Sequence, residues 1–152
     1  MKSDFYSFKN YTFKGVGIFS IAIGLFIFIG IWIDNGVNLF KSWGCLFPIL
    51  ILLIFVVIGA VQLYYIELNE KELIVKNLIF FWYKKTYQRS EISSVRYYSK
   101  GGGKSSQEGI EITFLKRSGY SEKFMMCFFR DDFWKKMQEK LEYYKYPCFK
   151  KY

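Results

Sequence analysis

The sequence predicts a membrane-bound α+β protein: a hairpin of two transmembrane helices, then an antiparallel β domain of six to seven strands closed by one C-terminal helix. Three observations predict it. Charge is segregated, since residues 15–66 carry only Asp34 and Lys41 whereas residues 67–152 carry 18 basic and 11 acidic side chains. Two long uncharged runs lie inside the first block. The second block alternates β-branched and aromatic stretches with turn residues, then ends on a stripe at helical spacing. Such segregation excludes a single soluble domain, in which charges intersperse. The aromatic content, 22% of the chain, excludes extensive disorder. The organisation expected is a cytoplasmic tail over residues 1–14, a transmembrane hairpin over 15–66 and a cytoplasmic domain over 67–152.

Residues 15–33 form 19 consecutive uncharged positions, and residues 42–66 form 25. At ~1.5 Å per residue these reach ~28 and ~37 Å, enough for a hydrocarbon core of ~30 Å. The spans are placed at about 15–33 and 44–65. A cleaved signal peptide fits poorly, because the first run ends on Ile31-Trp32-Ile33 without small residues and a second run follows after eight positions. The connector, residues 34–41, contains the turn dipeptide Asn35-Gly36 and can join only antiparallel helices. Lys2, Lys9 and Lys14 precede the hairpin and Lys71, Lys76, Lys84 and Lys85 follow it, against Lys41 alone in the connector. Positive charge stays inside, so both termini face the cytoplasm and the location is the inner (plasma) membrane, multi-pass. Trp32, Trp43, Tyr64 and Tyr65 fall at span ends, where amphipathic rings favour headgroups.

Neither run contains an Asp, Glu, Lys or Arg, the usual marks of an ion or proton pathway, so the helices read as an anchor. Pro48 sits in the first turns of the second span, where a missing amide donor costs little. Ser20 and Gly24 form a small-xxx-small pair. It permits close approach of the two helices or of two copies of the chain, or it reflects only the abundance of small residues in membrane helices. The tail interleaves Phe5, Tyr6, Phe8, Tyr11 and Phe13 with lysines. It lies in the interface, packs on the cytoplasmic domain or is a polar leader.

In the polar block, strands are expected at 64–69, 72–78, 80–88, 95–100, 110–116 and 121–129, the last the most apolar and so buried. A single helical turn at Ser90-Glu91-Ile92 precedes the fourth strand, and residues 101–106 (GGGKSS) make a flexible loop. From Asp131 onward Phe133, Trp134, Met137, Leu141 and Tyr144 recur at three- and four-residue spacing, an amphipathic helix that packs on the sheet and stops at Pro147.

The stretch ELNEKELIVKNLIFFWYKKTYQRSEISSVRYY, residues 67–98, runs strand, turn, strand, a basic-aromatic strand and a polar-Glu-Ile-x-x-Val step into the next strand. With the preceding hairpin, the chain over about residues 15–146 resembles the bacterial pleckstrin-homology-like (PH-like) membrane proteins. The resemblance implies a strongly bent antiparallel barrel or sandwich plugged by the C-terminal helix. It implies no single activity, since that fold hosts many binding functions.

The chain has no histidine, so no imidazole base stands beside a Ser or Cys nucleophile. Residues 101–105 lack the spacing of a phosphate loop. Cys45, Cys127 and Cys148 are odd in number and far apart, which suits reduced thiols better than a disulfide or zinc set. No enzyme activity, cofactor or metal is expected. The remaining signal is charge: the polar block carries +7, and Lys84, Lys85, Arg89 and Arg96 cluster around the third strand. They form a patch for anionic lipid or an acidic protein partner, or a solvated face obeying the positive-inside rule. Nucleic acid is not expected, because no binding motif for it occurs. Oligomers through the transmembrane helices are compatible with the sequence. Two functions follow: a membrane-anchored PH-like binding or regulatory module at the inner leaflet, or an immunity protein against a membrane-active bacteriocin or toxin, a role associated with some small proteins that resemble this family.

Overall fold

A computed structural model describes residues 3–6, 16–36, 45–100, 107–115, 120–126 and 131–148. It shows an α+β fold of two antiparallel sheets, with four and three strands, and three helices. In chain order these are β1 (Asp4–Tyr6), α1 (Val16–Asn35), α2 (Leu46–Ala60), β2 (Tyr64–Leu68), β3 (Glu72–Asn77), β4 (Lys84–Gln88), a 3-10 turn (Arg89–Glu91), β5 (Ile92–Lys100), β6 (Gln107–Phe114), β7 (Ser121–Met125) and α3 (Asp131–Tyr143). The expectations for Lys2, Phe8, Lys9, Tyr11, Phe13, Lys14, Lys41, Trp43, Cys127 and the 101–106 loop lie outside the described residues.

Helix α1 has 20 residues, a length of ~30 Å. Residues Gly17–Asn35 have the length and composition of a membrane span, which a signal sequence near an N-terminus shares. Only 11% of that window is buried, so it is not the covered core helix of a soluble domain. Helix α2 is equally apolar but has 15 residues, ~22 Å. It stops at Ala60, well short of the expected span end at residue 65. The physical reason is competition: Leu63 pairs as a β-bridge with Met126 and accepts a hydrogen bond from the Leu78 amide (2.9 Å), which draws the following residues into the sheet. Tyr64 and Tyr65 therefore belong to β2, and the Tyr64 ring packs edge-on against Tyr83 and Phe124.

The two apolar helices run antiparallel in contact. A Cβ on Gly17 would lie 2.7 Å from the Gly59 carbonyl oxygen, and one on Gly24 would lie 2.6 Å from Phe55 Cβ. Gly24 thus sits in the helix–helix seam, as the small-residue pattern suggested, with Gly17 and Gly59 making the closest backbone approach.

Strand order is β1-β2-β3-β4 in one sheet and β5-β6-β7 in the other. The register puts Ile66 opposite Val75, Leu68 opposite Leu73 and Leu73 opposite Tyr87, so these side chains share the inner face. Val95, Ile110, Ile112 and Phe124 do the same in the second sheet. Trp134, Met137, Leu141 and Tyr144 of α3 complete the core, as the helical stripe requires. Each fully buried aliphatic side chain contributes ~1.5–3 kcal/mol, well above the ~0–1 kcal/mol of a surface ion pair, so this core dominates stability. The helix ends on Lys145 in the left-handed region (φ 58°), and Tyr146 N–H donates back to the Leu141 carbonyl at 2.8 Å.

Three local features differ from expectation. Asp4–Tyr6, placed in a separate tail, is an edge strand on β2, with Tyr6 buried and Phe5 outward. The 80–88 strand shrinks to Lys84–Gln88 because residues 78–83 form a hydrogen-bonded turn. Strand β7 is not uniformly apolar inside: Phe124 is buried, but Glu122 shares its inward register.

Candidate functional site

The four basic residues of the expected patch do not converge. Lys84 and Lys85 are neighbours on β4, so their side chains leave on opposite faces. Lys84 is exposed on the outer face opposite Lys76, whose ammonium pairs with the buried Glu67. Lys85 points inward across the seam between the sheets, where its Nζ lies 2.6 Å from Glu122 Oε2. Arg89 begins the 3-10 turn past the far end of β4, ~15 Å along an extended chain from Lys84. Its guanidinium donates to the Tyr144 carbonyl at 3.0 Å and so fastens the end of α3 to the sheet. Arg96 lies on the second sheet and donates to Glu111 Oε2 at 2.8 Å. Of the four, Lys84 alone makes neither an ion pair nor a side-chain hydrogen bond among the described residues.

The two carboxylates are the electrostatic centres of the second sheet. Glu122 accepts from Lys85, from the Tyr87 hydroxyl at 2.7 Å and from the Tyr120 hydroxyl at 3.3 Å. Burial disfavours its charge, but these donors outweigh that and hold its pKa below the usual carboxylate value. Tyr87 is pushed upward, by burial first and by Glu122 second, and stays protonated. Glu111 follows the same logic on the outer face: burial is outweighed by the Ser121 hydroxyl at 2.5 Å, by Arg96 and by Lys123, and its pKa is lowered. Carboxylates this fully engaged act as structural acceptors.

Cys45 and Cys148 form no disulfide among the described residues. Burial, with Glu142 nearby, raises the Cys148 thiol to about 11, which keeps it protonated and unreactive. Among the described residues no three His, Cys, Asp or Glu side chains gather as a metal site. A shallow open cleft of about 480 Å³, lined by Asn69, Glu70, Lys71, Glu72 and Gln88, lies at the end of the sandwich far from the apolar helices.

The end nearest those helices holds what the sequence reading missed. Asn77, 2% exposed, closes β3. Its side-chain amide donates to the Ala60 carbonyl at 2.6 Å, on the last turn of α2. Its carbonyl oxygen accepts from the Ile79 and Phe80 amides, both at 2.9 Å. Phe81 N–H donates to Ile79 and Tyr83 N–H to Phe80, so the loop 78–83 is a fixed turn. Leu78, Ile79 and Tyr83 pack on the core, while Phe81 and Trp82 stand 83% and 69% exposed with their rings 4.9 Å apart. The signal was present: an Asn followed by six apolar residues without alternation suits neither a half-buried strand nor a solvent turn. No protein-family model, curated protein or solved structure matches the chain.

Proposed function

We propose that this chain is a non-catalytic, membrane-anchored binding or regulatory module, in which α1 and α2 form a hairpin in the inner membrane and hold a PH-like β domain against the cytoplasmic leaflet. One observation carries the reading: a pair of helices with exposed apolar flanks is fastened directly to a polar β domain. Phe19, Phe26, Ile33, Phe47 and Leu53 are exposed on that pair, an apolar surface too large for water to tolerate on a monomer. Ile18 and Ile21 of α1 pack on the domain core, and Asn77 ties the end of α2 to β3. The anchor therefore sets the domain's height and orientation at the surface. Seven antiparallel strands with a C-terminal helix also accord with the PH-like resemblance. The +7 of residues 67–152 suits an anionic leaflet or an acidic partner, with Lys84 the basic side chain best placed to meet it.

Membrane-impermeant maleimide labelling tests this reading in a background lacking the native cysteines. Asn35→Cys, at the end of α1 farthest from the domain, should label on intact cells. Gln88→Cys, exposed on β4, should label only after permeabilisation. Labelling of both from the same side, or release of the protein from membranes by alkaline carbonate, overturns the proposal.

A further inference from the structure

We propose that the β3–β4 loop is a second membrane contact, inserting Phe81 and Trp82 into the headgroup zone of the leaflet at which α2 ends. The inference rests on the membrane-anchored reading and adds to it a docking element on the β domain itself. Position carries the argument. The start of the loop is held beside α2 by two bonds: Asn77, the last residue of β3, donates to Ala60 at the end of α2, and the Leu78 amide donates to the carbonyl of Leu63, three residues on. Val57 and Ile58, exposed on α2, lie within one helical turn, ~5.4 Å, of Ala60. A bilayer that covers those two side chains has its boundary beside the loop.

Chemistry agrees with position. Phe81 and Trp82 project outward from a backbone fixed by four hydrogen bonds, so little chain entropy is lost on insertion. Trp is enriched at membrane–water interfaces, where an apolar ring meets a polar edge. The exposed Lys84 follows directly and would lie at phosphate level. The loop is held at the end of α2, within reach of the exposed apolar Val57 and Ile58, which favours the lipid proposed to cover those helices over a second copy of the chain.

Site-directed spin labelling of the full chain tests this in phosphatidylcholine–phosphatidylglycerol liposomes, again without native cysteines. Labels go at Trp82→Cys, at Phe81→Cys as an independent variant, and at the references Phe26→Cys on α1 and Gln88→Cys on β4. Collision with oxygen relative to a water-soluble nickel chelate should place 81 and 82 between the two references. If 81 and 82 match 88 while 26 stays shielded from nickel, the loop faces water; the inference falls and the anchor stands. If 26 is itself open to nickel, the anchor falls. Spin–spin broadening at 82 that vanishes on dilution with unlabelled protein would identify a second copy as the occupant and overturn the inference.

Discussion

The two ends of β3 carry the same turn device with opposite surroundings. At the far end, Asn69 Oδ1 accepts from the amides two and three residues on, Lys71 at 3.1 Å and Glu72 at 2.8 Å. At the helix end, Asn77 Oδ1 accepts from the amides two and three residues on, Ile79 and Phe80. The remaining amide group separates them. Asn69 spends its own on the Glu72 carboxylate at 3.3 Å, beside the polar cleft. Asn77 spends its own on the carbonyl of Ala60, inside the junction with α2. One local motif thus makes an ordinary turn in water and a structural weld under cover, and the difference lies in what docks against it.

Four substitutions or conditions would break or sharpen that contrast. Asn77→Ala should have the largest effect, on the order of 3 kcal/mol, because it removes three hydrogen bonds at once: two partly covered amides lose their acceptor, and the Ala60 carbonyl keeps only the Leu63 amide. Thermal unfolding in detergent, followed by near-UV circular dichroism, would show it; a loss no larger than at Asn69 would dissolve the distinction between the two ends. Gly17→Ala comes next, at about 2 kcal/mol, since its Cβ meets the backbone of α2 2.7 Å away, where no side chain can yield. The same melts report it, and an unchanged midpoint would mean the helices are not pressed together.

Acid should act on the second sheet more gently. Glu111 and Glu122 have folded pKa values below 4.5, so their contribution is complete above that value and is lost as pH falls through the depressed folded values. Glu122→Gln should flatten the acid limb of a stability–pH profile and leave the neutral plateau within about 1 kcal/mol. An unaltered acid limb would show that Glu122 does not titrate in this window. Asn69→Ala should be the mildest, under about 1 kcal/mol, because water replaces its partners. A melt that shifts as far as that of Asn77→Ala would assign the weld to the motif and not to its burial.

Legibility in the sequence followed the range of the interactions. The apolar helices were visible because length and absence of charge are local properties. So was α3, whose stripe from Phe133 to Tyr144 repeats every turn. The partners of Lys85, Arg89 and Arg96 were not visible. Each lies on a different element, 15 to 55 residues away, and the clustering of these cations along the chain concealed three separate roles. Likewise Asp4–Tyr6 is too short to read as a strand alone; it becomes one because β2 offers it an edge.

By itself, the sequence determined the order of parts: apolar helices first, then a β-rich domain, then an amphipathic helix, with no imidazole anywhere in the chain. These follow from composition and periodicity, which each residue carries wherever it folds. Only the tertiary structure decided where α2 stops, which cations are consumed in pairs, and that Phe81 and Trp82 turn outward while Leu78, Ile79 and Tyr83 pack on the core. Those outcomes depend on competition between distant partners for the same backbone and side-chain groups. Helix α2 yields at Ala60 because Asn77, Leu78 and Met126 claim the groups that would have continued it.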